Sequence, residues 1–266
     1  MLGFDLETTG VDVENDRVVT ATIVTLNDGK PSTREWLVNP GVEIPEAATA
    51  LHGVTTEHAR EHGTDPAETL HDIVCLLAMD MAHQVPMVGM NLAYDLTLLD
   101  RECRRHGVPT LGERLDAERG GQRDQTITPV IDVFVIDKAM DKYRPGKRQL
   151  HALAETYEVR LDDAHTSTGD VLGTLRVAWR MAALAQQPIE VLAARYGDRR
   201  YPMELARAWQ RLGVMSLAEL HDAQIGWYAE QSRSYRQYLM CQMCQGEHDK
   251  AAEVCDLWPL RPAPTT

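Results

Sequence analysis

The sequence predicts an α/β fold: a mixed sheet flanked by helices, with a helical C-terminal extension. Three observations predict it. Segments rich in β-branched residues come in a run at the N-terminus, short apolar strands then alternate with helical periods, and beyond about residue 187 the pattern is helical only.

Leu2 to Glu7 reads as the first strand, closed by the turn Thr8-Thr9-Gly10. Arg17 to Leu26 is the second, and Thr33 to Val38 is its hairpin partner across Asn27-Asp28-Gly29. Asp65-Pro66 has the form of an N-cap followed by proline at the first helical position. Leu70, Ile73, Val74, Leu77 and Met81 then mark the apolar face of a helix reaching about His83. Pro86 to Met90 is a short buried strand, Asp95 to His106 a helix stopped at Gly107, and Pro129 to Val135 a fifth strand. Helices follow over Gln149 to Tyr157 and Ser167 to Ala185. Pro188 and the Arg-rich stretch Gly197 to Pro202 separate further helices over Met203 to Leu212 and about Leu217 to Cys244, the latter opened by a capping-box pattern of Ser216 with Glu219. The expected division is a domain over 1–187 and a helical region over 188–266 with no assigned role. Because the first strand begins almost at Met1 and chain ends fray, neighbours must tie it down on both sides, or the natural start lies upstream.

A chain of 266 residues with 44% hydrophobic composition can bury a sizeable core. Its apolar runs are short and broken by charge, and the N-terminus shows no basic-then-apolar leader, so the expectation is a cytoplasmic protein with no membrane partner. Five cysteines, an odd number, do not make a secreted disulfide framework. A net charge of −13 excludes a protein that coats nucleic acid through a broad basic surface, so any such contact has to be local.

Chemistry is concentrated in acidic residues. In an extended strand, alternate side chains share a face, which puts Asp5 and Glu7 on one side and Phe4 and Leu6 on the other. Two carboxylates so close repel each other unless a proton or a cation lies between them, and hard divalent cations take oxygen ligands. Asp95, His165 and Asp170 supply further ligating and proton-accepting groups. His165 and Asp170 are separated by five residues, or about 500° of helical rotation, and cannot share a helix face. The His therefore precedes the helix, with Asp170 in its first turn and Thr166 or Ser167 as the cap.

Two other clusters stand out. Lys142 to Arg148 is the most basic run in the chain, and Arg144, Lys147 and Arg148 beside Tyr143 suit a single-strand track. Cys241, Cys244, His248 and Cys255 have the composition of a Zn²⁺ site with loose spacing. The preferred reading of those thiols is as small hydrophobes on a long amphipathic helix.

Phe-Asp-Leu-Glu-Thr-Thr-Gly at 4–10, Asn-Leu-Ala-Tyr-Asp at 91–95 and His-Thr-Ser-Thr-Gly-Asp at 165–170 resemble, in order and spacing, the three motifs of the DEDDh (DnaQ-like) 3′→5′ exonucleases. That group includes polymerase III ε-type proofreading subunits, RNase T and oligoribonuclease. The resemblance covers roughly residues 2–185 and implies a ribonuclease H-like five-stranded sheet. It implies that Asp5, Glu7, Asp95 and Asp170 hold two Mg²⁺ or Mn²⁺ ions, that His165 is the general base, and that 5′-nucleoside monophosphates leave from a 3′ end. Thr8 and Thr9 meet the terminal sugar or simply form a tight turn with Gly10, and His52-Gly53, similar to the family's pocket segment, lines the nucleotide pocket or simply ends a short helix. Asn91 bonds the substrate or braces the strand end, and Tyr94 is a packing residue. DNA is the preferred substrate and RNA the alternative, with a polymerase or replication partner implied. A non-catalytic scaffold would be expected to have lost at least one of the five motif positions, and all are filled.

Overall fold

The computed structural model describes residues 1–162, 166–241, 250–251 and 254–262. Strands β1 (Leu2–Thr8), β2 (Val18–Asn27) and β3 (Lys30–Leu37) form the expected antiparallel meander. They are followed by α1 (Glu46–His52), α2 (Thr56–His62), α3 (Pro66–Ala82), β4 (Met87–Gly89), α4 (Leu92–Arg105) and α5 (Leu111–Glu118). Next come β5 (Val130–Asp132), α6 (Val133–Met140), α7 (Leu150–Thr156) and α8 (Ser167–Ala185). The C-terminal region contributes α9 (Ile189–Arg195), α10 (Pro202–Gly213) and α11 (Leu217–Cys241).

The sheet order is β3-β2-β1-β4-β5, with β4 and β5 parallel to β1. β1 is therefore central. Its first residues are held from both sides, since Leu2 N–H donates to Pro86 O and Leu26 N–H donates to Met1 O. Its two faces differ as the pleat requires. Leu2, Phe4 and Leu6 enter a core shared with Leu70, Ile73 and Leu77 of α3, with α4 and with α5. The opposite face packs against α8, and a Cβ at Gly3 would stand 2.5 Å from Val171 Cγ1, so only glycine admits the helix this close.

That second face has its own core, in which Val171, Leu175 and Met181 of α8 meet Leu192, Trp209 and Leu212 from α9 and α10. Trp209 is fully buried and lies edge-on to Tyr157 at 6.0 Å. Residues past 187 thus share the core of the preceding helices. α11 packs on α6 and β5, and Trp258 is buried in the first core, with its ring 5.2 Å from that of His221. Each large apolar side chain buried in this way contributes about 1.5–3 kcal/mol.

Several expected boundaries hold. Asp65 caps α3 by accepting from the N–H groups of Ala67 and Glu68, Ser216 and Glu219 form the reciprocal box, and α8 spans the expected residues. Others shift. The apolar run 129–135 is strand only to Asp132, whose carboxylate accepts from Phe134 N–H and Val135 N–H and so starts α6 inside the predicted strand. α4 begins at Leu92 rather than Asp95. Helices α1, α2, α5 and α9 have seven or eight residues each, too few for an amphipathic period to stand out. Among the described residues no helix is long and apolar enough to cross a membrane.

Candidate active site

The site forms where the C-terminal end of β1 meets the first turns of α4 and α8. Asp5 and Glu7 project from β1 on the face that Gly3 opens to α8. The register slips between Glu7 and Thr8, a bulge of the kind that re-aims side chains at a strand end. Asp95 arrives from α4, and its Oδ1 accepts the Leu6 N–H at 3.3 Å, between the two β1 acids. Asp170 lies in the first turn of α8, which Thr166 caps by accepting from Gly169 N–H at 3.0 Å. This is the arrangement expected from the five-residue spacing. His165 lies outside the described residues.

The electrostatics show how closely the acids converge. Burial, followed by the charges of Asp95, Glu7 and Asp170, holds the Asp5 carboxyl well above its ordinary range. Glu7 is raised by burial and by Asp170. Asp95 is pushed up to about 8, mainly by burial and further by Asp132 and Glu7, although the Leu6 N–H pulls the other way. Four acids therefore repel one another across a shared space. Hard carboxylate oxygens that resist ionising together are a donor set suited to Mg²⁺ or Mn²⁺. Among the described residues no three His, Cys, Asp or Glu side chains are drawn close enough to grip an ion by themselves. Mg²⁺ needs no full protein cage, since it keeps waters and substrate phosphate among its ligands.

One positioning residue has no counterpart in the sequence reading. Asp132, fully buried at the end of β5, accepts the N–H groups of Asn91 and Leu92, each at 2.9 Å, and thereby fixes the start of the helix that carries Asp95. Its own N–H donates to Gln224 of α11 at 2.7 Å. An acid that follows an apolar strand and precedes a helix was the available signal, hidden by reading 129–135 as all strand. Asn91, with φ of 65°, adopts the left-handed turn into α4, and its backbone rather than its side chain does the bracing.

The remaining predicted residues fall into place unevenly. Thr9 is buried, and its hydroxyl donates to Asp16 at 2.7 Å and accepts from Arg17 N–H, so it braces the turn instead of facing a sugar. Thr8 Oγ1 donates to Gly10 O and lies 2.8 Å from Tyr94 Oη. Tyr94 packs against the first core, as expected, and its phenol also donates to Gly10 O, a tie the packing reading lacked. His52 ends α1, with Gly53 at φ 79° as its left-handed cap, and its ring also lies against the Thr8 backbone, where burial lowers its pKa. The helix-ending reading of that segment is the one this geometry displays.

The basic run is corrected. Arg144 and Arg148 both turn inward to Oδ2 of the fully buried Asp137, at 2.9 and 2.7 Å, and are themselves only 8% and 14% exposed. A buried acid left without these partners would be costly, so the arginines serve the fold and are not offered to a substrate. Lys147 alone of the three is exposed. Of the zinc-like cluster, Cys244, His248 and the side chain of Cys241 lie outside the described residues, and Cys255 is a free, partly buried thiol.

Comparison with known proteins bears on this site. The RNase_T family model, described as Exonuclease, matches residues 2–178. The chain belongs to this exonuclease family. Its segment is 27% identical over 172 residues to the PolC-type DNA polymerase III of Lacticaseibacillus paracasei, covering 64% of this chain and 10% of that protein. The enzyme of Streptococcus suis is 26% identical over 176 residues, again covering 10% of its length. Among solved structures, E. coli exonuclease I in complex with a dA16 oligonucleotide matches with a TM-score of 0.54 at 17% identity, over 79% of this chain and 42% of that one. Exonuclease I of Methylocaldum szegediense gives 0.52 at 18% identity, over 74% and 44%. The chain thus spans about a tenth of its polymerase relatives and under half of these exonuclease I chains, with which it shares the ribonuclease H-like fold.

Proposed function

We propose that this exonuclease works from the 3′ end of single-stranded DNA, is metal-dependent, and releases 5′-nucleoside monophosphates. The observation that carries the reading is the convergence of Asp5, Glu7, Asp95 and Asp170 from β1, α4 and α8, each of the first three raised in pKa by burial and by one or more of the others. Asp5, Glu7 and Asp170 would hold one divalent ion, and Asp5 with Asp95 a second. When bound, the pair supplies Lewis acidity toward the attacking water and the departing 3′-oxygen. His165, next in sequence to the Thr166 cap, accepts the proton of that water, the general-base role the motif resemblance implies. The water oxygen bonds to phosphorus as the bond from phosphorus to the 3′-oxygen breaks. His52 and Gly53, close to Thr8, border the terminal nucleotide.

The likeness to one segment of PolC-type polymerases supports a replication or repair setting with a polymerase as partner. The exonuclease I complex with dA16 supports single-stranded DNA over RNA. Digestion of matched 3′-labelled and 5′-labelled single-stranded DNA, duplex DNA and RNA, with and without chelator, tests polarity, substrate and metal together. Single-stranded DNA shortened from its 3′ end, and only without chelator, is the expected result. Cleavage that survives chelation, or RNA degraded in preference to DNA, contradicts the proposal.

A further inference from the structure

With Arg144 and Arg148 committed to Asp137, the strand leading to the active site needs another surface. A pocket of about 480 Å³ lies between α6, α11 and the C-terminal segment, with Asn91 on its wall. This is within the usual range for a small-ligand site. Asn91 is the N-cap of α4, and Asp95 follows one turn later, so one wall of the pocket is the residue from which the Asp95 helix starts.

Its lining differs from the rest of this acidic chain. The Lys138 ammonium sits 4.8 Å from the centre of the Phe134 ring and makes no ion pair among the described residues. Arg261 is held there by its backbone: its N–H donates to Thr97 Oγ1 at 3.1 Å, and Arg101 donates to the carbonyls of Arg261 and Pro262 at 3.3 and 2.6 Å. Its guanidinium stays in reach of the Tyr94 and Tyr228 phenols, and its Nε has no hydrogen-bond partner. On the α11 side, Tyr235 and Tyr238 are 51% and 58% exposed and stack within 15° of parallel. Fixed cations beside solvent-facing aromatic rings are what a single strand uses, phosphates on the former and base faces on the latter.

We propose that this pocket holds the single strand immediately 5′ of the terminal nucleotide, with Lys138 and Arg261 on its phosphates and Tyr235 against a base. The inference rests on the exonuclease reading above and adds the C-terminal segment to the substrate path.

The test measures binding and turnover separately. Binding of 5′-fluorescein-labelled dT12 is followed by anisotropy in chelator over a range of salt. Turnover is compared between dT12 and the p-nitrophenyl ester of thymidine 5′-monophosphate, which offers one nucleotide only. The double variant Lys138→Gln, Arg261→Gln is expected to weaken dT12 binding about tenfold or more and to flatten the log–log salt slope by roughly 1.4, two phosphate contacts at about 0.7 each. It should also lower the ratio of kcat/KM on dT12 to that on the ester. Tyr235→Ala, on an exposed helix face, should weaken dT12 binding roughly tenfold and keeps the test available if the double variant does not fold. Wild-type affinity and salt slope in both variants would overturn the pocket while leaving the exonuclease reading intact. A wild-type protein that hydrolyses neither substrate, yet loses dT12 binding in the variants, would sink the exonuclease reading and keep the pocket.

Discussion

Asp137 of α6 and the acids gathered around β1 meet the same problem, a buried carboxylate, in opposite ways. Asp137 is fully enclosed, and its carboxylate receives Arg144, Arg148 and the Tyr157 hydroxyl, the last at 2.8 Å. Asp5 is held above its ordinary range by burial and by the carboxylates of Asp95, Glu7 and Asp170. One site is neutralised from within the chain. At the other, burial and like charge bear on Asp5 together. The first arrangement cancels a buried charge, and the second gathers like charges into a donor set of the kind that suits a divalent cation.

The comparison can be broken in several ways, starting with the largest effect. Asp5→Ala is expected to lower kcat by about a thousandfold or more, since charge stabilisation at the reacting phosphate is lost. Thermal unfolding of the metal-free variant should be unchanged or later than wild type, because one of four repelling acids has gone. A clear loss of stability would make Asp5 structural. Asp137→Ala should do the reverse, costing about 3–5 kcal/mol by leaving two arginines around an empty carboxylate site. At this chain length that is a fall in Tm of about 10 °C. Turnover per folded molecule should persist, and calorimetry beside a nuclease assay separates the two quantities.

A third prediction concerns pH. The carboxyl of Asp95 is raised to about 8 in the folded chain, against an unfolded value near 3.9, and Asp5 is raised well above its usual range. Such groups weigh nothing against the fold below about pH 4, where both states hold the proton. Their stability is lost as pH climbs toward the folded value, because the unfolded chain ionises more readily. Metal-free protein should therefore lose thermal stability between about pH 4 and 8, Mg²⁺ should restore more of it at pH 8 than at pH 5, and Asp95→Asn should flatten the profile. A metal-free midpoint that rises steadily over this range in the wild type, with no change in slope in Asp95→Asn, would refute the repulsion.

The smallest effect sharpens the geometry. Gly3→Ala places a methyl 2.5 Å from Val171 Cγ1 and should cost about 1–3 kcal/mol as α8 moves off β1. Because Asp170 travels with α8, apparent Mg²⁺ affinity in the nuclease assay should weaken more than it does for Gly226→Ala, which has open space around its Cβ.

Much of this was legible in the sequence because the informative signals were local. The pleat alone puts Asp5 and Glu7 on one face, and the spacing before Asp170 predicts a cap at Thr166 or Ser167, of which Thr166 is the one used. What stayed hidden depended on partners far away in the chain. Nothing in Lys142 to Arg148 says that Asp137 will draw two of its arginines inward, and nothing around Thr9 says that Asp16 will take its hydroxyl. The run 129–135 was ambiguous by nature, since four to eight apolar residues fit strand and helix alike, and the cap that decides between them is a side chain inside the run. Arg261 was missed for a related reason: a single basic residue near the end of an acidic chain acquires meaning only when Thr97 and Arg101 fasten its backbone to α4.

That fastening also has a bearing on biosynthesis. α4 is clasped at its start by Asp132 and further along by residues 261 and 262, which leave the ribosome well over a hundred residues after it. Until residue 262 has been made, the helix bearing Asp95 lacks this brace, so the nuclease should mature only after that point. Hydrogen exchange offers a check: in a chain stopped at residue 250, the amides of Leu92–Arg105 should exchange faster than in the full chain, and equal protection would show that the clasp is dispensable.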